Sequence, residues 1–150
     1  MRRGNLPSRQ LGATLIVALI FLSILALLGV TVAQTTQLEE RMAGNTRDRD
    51  LAFQATEAAL KWASTQNMTA LSGGATINTA ANDDAVFWNA FAWGGATQLT
   101  SAQITVNGLA AYPQIVVERR GTTNQYRVTS RGVGATSNTV VILQAEYTYP

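Results

Sequence analysis

A chain of 150 residues, 47% of them apolar, has room for one domain, and it contains neither cysteine nor histidine. Those absences remove disulfides, the commonest zinc ligands and the Ser-His and Cys-His nucleophile pairs, so neither an enzyme nor a cofactor is expected. Arg2, Arg3 and Arg9 carry the formal charge of +2; of the 11 basic residues, 8 then remain against 9 acidic ones, without the basic footprint of a nucleic-acid binder.

After this short basic stretch, residues 13–33 carry no charge. These 21 residues would form a helix about 31 Å long, close to the hydrocarbon thickness of a bilayer. Thr14, Ser23, Gly29 and Thr31 interrupt the run only mildly, since hydroxyls bond back to preceding carbonyls and small residues permit close helix packing. The arginines before it, with Glu39 and Glu40 after it, favour a cytoplasmic N-terminus, although Arg41, Arg47 and Arg49 dilute the asymmetry. The alternative is a secretory signal peptide cut after Thr31-Val32-Ala33, releasing a soluble chain that begins at Gln34. The apolar run exceeds the core of about 7 to 15 residues usual in such signals.

Residues 34–66 contain no proline and continue the helical pattern, with Leu38, Met42, Ala52, Ala55, Ala59 and Trp62 at spacings compatible with one face. The charges Glu39, Glu40, Arg41, Arg47, Asp48, Arg49, Asp50, Glu57 and Lys61 fall to a solvated face or to local pairs. Gly44-Asn45 has low helix propensity and marks a point of expected flexibility.

Three stretches stand out: Arg9-Gln10-Leu11-Gly12 ahead of Ala13-Thr14-Leu15-Ile16-Val17, the run from Thr35 through Thr36-Gln37-Leu38-Glu39-Glu40-Arg41-Met42-Ala43-Gly44 to Asn45, and Leu51-Ala52-Phe53-Gln54-Ala55-Thr56-Glu57-Ala58-Ala59-Leu60. Together they resemble the PilX-type minor pilins of type IV pili. The resemblance covers roughly a third of the chain. It implies a leader of residues 1–12 that a prepilin peptidase removes after Gly12, methylating the new amine of Ala13. It also implies residence in the inner membrane before assembly and in the pilus, at the cell surface, afterwards. The partners implied are other minor pilins, the major pilin, an inner-membrane assembly platform and a tip adhesin. Val17 stands fifth after the cut, where most pilins carry glutamate. An unpaired carboxylate in hydrocarbon costs several kcal/mol, so a subunit with no neighbour above it does better without one, which suits the filament tip. The missing glutamate also resembles the tip pseudopilin of type II secretion systems, a usually larger protein.

From Met68 to Ala85 the composition reads as a loop, with Gly73-Gly74 and Asn82-Asp83-Asp84 as turn signals. The three last residues offer hard oxygen donors but lack an EF-hand spacing, so a solvated loop is the simpler reading and no metal is expected. Phe87, Trp88, Phe91 and Trp93 then concentrate aromatic area, to be packed against the helix or kept as a partner patch. Strands are expected at 103–106, 114–119, 126–130 and 140–148, with Asn107-Gly108 as a turn. Glu118, beside Arg119 and Arg120, reads as part of a surface pair.

The expected fold is α+β and pilin-like. A leader (1–12), a membrane and assembly helix (13–33) and an amphipathic continuation (34–66) precede a head (67–150) whose antiparallel sheet packs on the helix. The competing reading is a secreted or membrane-anchored binding domain.

Overall fold

The computed structural model describes residues 11–72, 84–120 and 124–149; residues 1–10 of the expected leader, and Asn82 and Asp83, lie outside the described residues. Helix α1 spans Leu11–Ser64, 54 residues in which no proline removes a backbone donor. The chain divides into two compact units, one ending at Ala43 and the other beginning at Gly44.

In the first unit every residue from Ala13 to Ala43 is exposed, including Leu15, Phe21, Leu22 and Leu27. Within the apolar run the hydroxyls do bond back. Ser23 donates to the Leu19 carbonyl at 2.8 Å and Thr31 to that of Leu27 at 3.0 Å, so neither brings an unpaired polar group to the surface. Leu38 and Met42, expected on the face that carries the head, are 60% and 68% exposed and belong to this unit instead.

In the second unit the rest of α1 packs on a four-stranded antiparallel sheet formed by β1 (Thr97–Gln98), β2 (Gln114–Arg120), β3 (Gln125–Val133) and β4 (Val140–Thr148), in the order β1-β2-β3-β4. β2, β3 and β4 grow from runs rich in β-branched residues, which suit a pleated, half-buried surface. One sheet face presents Ile115, Val117, Tyr126 and Val128 to Ala59 and Ala63 of α1; Met68, Leu99 and Ile104 complete this core. Each large aliphatic side chain buried there contributes about 1.5–3 kcal/mol. This is the α+β, pilin-like arrangement that the sequence suggested.

The short α2 (Met68–Leu71) is capped by Asn67, whose Oδ1 accepts from the N–H of Thr69 at 3.0 Å and of Ala70 at 3.2 Å. In α3 (Ala85–Ala90) Asp84 has the same role, accepting from the Val86 N–H at 3.0 Å. Residues 103–106, expected as a strand, are instead the exit of a turn in which the Gln103 N–H donates to the Thr100 carbonyl at 3.0 Å. The turn delivers Ile104 to the core, so its apolar character reflects burial and not sheet pairing. Gly108 stands at a bend of the chain with φ 81°, a conformation glycine adopts without strain.

Candidate functional site

The first functional surface is the apolar part of α1. Its most apolar 18 residues have a mean hydropathy of 3.0, and none of them is buried among the described residues. Some twenty residues of uncovered hydrocarbon-like surface require another cover, either lipid or the helices of other subunits. Ala13 and Val17 lie on this exposed surface, while Gly12 lies in the first turn of the helix. Gly44 and Asn45 stand in unbroken α-helix at the boundary between the two units. A Cβ built at Gly44 would meet nothing within 4 Å, so no contact among the described residues requires glycine there.

The second is the seam that fastens the head to residues 44–64 of α1. Ala52, Ala55, Thr56, Ala59 and Ala63 are fully buried, and their small side chains let β3 approach the helix backbone closely. At Gly132 the approach is so close that a Cβ would collide with the Ala52 carbonyl and the Thr56 hydroxyl. Thr56 uses that hydroxyl to donate to its own Ala52 carbonyl at 2.6 Å. Further along, the Tyr147 hydroxyl donates to the Leu60 carbonyl at 3.1 Å and the Tyr149 hydroxyl to the Ser64 carbonyl at 2.7 Å.

Asp48 closes the opposite end of the seam. Its Oδ1 accepts from the N–H of Ala135 and, at 3.1 Å, of Thr136, while Oδ2 accepts from the Thr136 hydroxyl. Led by the Thr136 hydroxyl, then Thr139 and the two backbone N–H groups, these donors favour the ionised carboxylate. They outweigh desolvation and lower its pKa from 3.8 to about 2. Asp48 is therefore not one of the solvated charges that helix periodicity suggested; it ties α1 to the β3–β4 turn. Gly134 precedes that turn, and a Cβ there would come within 2.6 Å of the Asp48 carbonyl oxygen.

On the opposite sheet face lie the aromatics. The Gln114 side chain donates to the Trp93 carbonyl at 3.1 Å, and the Arg131 guanidinium lies 6.0 Å from the Trp93 ring centroid. Gln114 and Arg131 face each other in register, one position out of phase with the residues that meet α1. The cluster thus covers the far side of the sheet and does not pack against the helix. Trp88 is buried, and Phe87, Phe91 and Trp93 are half-buried, joined by ring contacts such as Trp88 to Phe91 at 5.1 Å. The three half-buried rings each keep part of their surface open to solvent.

Glu118 corrects the expected surface pair. It is 1% exposed and accepts from Arg127 Nε at 2.7 Å across the β2–β3 ladder, with Arg127 equally covered. It is Arg120 that pairs at the surface, with Glu146. No group of three or more histidine, cysteine, aspartate or glutamate residues that could hold a metal occurs among the described residues, and Asp84 is occupied as a helix cap.

An uncovered apolar helix continuing into the α1 segment of an α+β head defines a pilin-like protein. Residues 12–61 match the family model described as PilX N-terminal, which supports a PilX-type pilin. No curated protein and no solved structure matches the chain. PilX pilins are structural proteins, and the apolar helix fits membrane anchoring and association with a pilus.

Proposed function

We propose that this chain is a minor pilin that helps initiate type IV pilus assembly and sits at or near the filament tip. The observation that carries the reading is the coincidence of the PilX N-terminal match with a helix whose apolar side chains find no cover among the described residues. Lipid covers that surface before assembly, with the N-terminus on the cytoplasmic side, and neighbouring pilin helices cover it afterwards. Val17 favours the tip, where no subunit above supplies an amine to pair with a carboxylate. Gly44 and Asn45 give the helix a point of low propensity at which the stem adjusts as subunits leave the membrane. The open side of the Phe87, Trp88, Phe91 and Trp93 cluster supplies contact area for a tip partner such as an adhesin, and adhesion and motility follow from that placement.

The test is the N-terminus and intact mass of the protein isolated from its own host membranes. A chain beginning at methylated Ala13 is expected, as left by prepilin peptidase after Gly12. One beginning at Gln34 would make it a secreted domain and overturn the assembly role.

A further inference from the structure

Asn107 is the one asparagine in the chain that precedes a glycine. Asn107 and Gly108 are both exposed, in the loop between β1 and β2. Among the described residues neither the Asn107 side-chain amide nor the Gly108 N–H has a hydrogen-bond partner. Gly108 stands at φ 81°, and a Cβ built there would meet nothing within 4 Å, so the space around it is open. The other described asparagines are held differently. Asn45 and Asn89 lie in α-helix, where the backbone dihedrals are fixed, and Asn67 commits its Oδ1 to capping α2. Asn124 and Asn138 precede Gln125 and Thr139, whose side chains crowd the nitrogen that follows the asparagine.

An asparagine so placed can react with its own backbone. The Gly108 nitrogen, once deprotonated, attacks Cγ of Asn107. A new N–Cγ bond closes a cyclic imide, the Cγ–Nδ2 bond breaks, and the nitrogen leaves as ammonia with the proton. Glycine favours the closure because it has no Cβ to collide with the forming ring and turns freely about φ. Water then adds to one of the two ring carbonyls and reopens the imide. Addition at Cγ gives aspartate. Addition at the backbone carbonyl gives isoaspartate, in which the main chain runs through the former side-chain methylene and is one atom longer. Water, which reaches both exposed residues, is the only co-reactant.

The loop has fixed points on either side of the pair. Ile104 is buried, Leu109 packs against the same core, and the Ala110 N–H donates to the Gly134 carbonyl at 2.7 Å, just before the β3–β4 turn. An extra backbone atom between Ile104 and Leu109 has to be absorbed between these points. Residues 85–117 carry no charge, so either product sets a lone carboxylate in a neutral run. We propose that Asn107-Gly108 is a self-modifying site, at which the folded chain converts Asn107 through the cyclic imide to aspartate and isoaspartate. The conversion adds a negative charge to the β1–β2 loop, and its isoaspartate product loosens the bond between Ala110 and Gly134. The inference stands on this loop and does not depend on a role in the pilus.

Peptide mapping of the full chain tests it, after ageing in detergent in water enriched in heavy oxygen, at neutral and at mildly alkaline pH, with fragmentation that separates aspartate from isoaspartate. Asn107 should take on the mass of the acid with a heavy oxygen, and faster at the higher pH, because the attacking nitrogen must lose its proton. Asn89, Asn124 and Asn138 should keep their amides. Asn107→Gln, whose longer side chain closes the ring poorly, should stay unmodified. In the isoaspartate fraction the Ala110 amide should exchange about five- to tenfold faster, the weight of one backbone hydrogen bond. Freshly prepared Asn107→Asp has the charge without the longer backbone and should keep Ala110 as protected as in unaged protein. An Asn107 amide that survives as long as the other three overturns the site, and unchanged Ala110 exchange in the isoaspartate fraction overturns its effect on the loop.

Discussion

At Gly132 and Gly134 the absence of a side chain is a packing requirement, because α1 backbone and the Asp48 carboxylate occupy the space where a Cβ would stand. Gly132→Ala is expected to destabilise the head by about 1–3 kcal/mol, the usual cost of overpacking, visible as a lower thermal midpoint of the full chain in detergent. Asp48 makes the fold sensitive to acid. A carboxylate with a pKa of about 2 in the folded chain and an ordinary value of 3.8 stabilises the fold fully above about pH 4, and this contribution is lost as pH falls through 2. Unfolding of wild type and Asp48→Asn should therefore differ most at pH 5 and converge towards pH 2; a difference independent of pH would show that the carboxylate charge is not what matters. The sequence placed Asp48 with the solvated charges because helix periodicity carries no information about the turn at residues 134–139, more than eighty positions away, that satisfies it.

The elements were more legible than their mutual packing. β2, β3 and β4 were readable because β-branched runs alternate with turn residues; residues 103–106 were not, because a turn and a strand both leave an apolar residue inside. The helix stripe of Ala52, Ala55 and Ala59 was legible as a face, and all three are fully buried. Periodicity does not supply the partner of each face, so the aromatics of α3 and the following turn read as packed against the helix or as a partner patch, whereas they cover the far side of the sheet. Glu118 was misread for a related reason, since its Arg127 partner arrives only through the β2–β3 register. Removing one member of this pair leaves the other charge buried. Glu118→Ala should cost about 3–5 kcal/mol, whereas Glu118→Met combined with Arg127→Met should cost much less, and chemical denaturation of the two variants checks the ordering.

For the molecule as a whole, the division at Gly44 separates a helix that needs external cover from a head with its own core. Leu22→Asp places a charge in the middle of the uncovered run, at about 2.5–3.5 kcal/mol on insertion scales. The variant should fall in the membrane fraction and be lost from sheared filaments, as read by immunoblotting; unaltered insertion and filament incorporation would contradict the assembly mechanism. The membrane-helix reading is accessible from residues 13–33 because membrane helices obey a length and polarity rule that needs no tertiary information, whereas the family reading rests on the likeness of residues 12–60 to PilX-type pilins.

The seam also determines how the head meets a pulling force. Asp48 holds one end of the α1 segment to the β3–β4 turn, and Tyr147 and Tyr149 hold the other end through the Leu60 and Ser64 carbonyls. Tension applied along the helix loads these fastenings side by side, in shear, so that they yield together. A head attached at one end only would peel, surrendering its contacts one at a time.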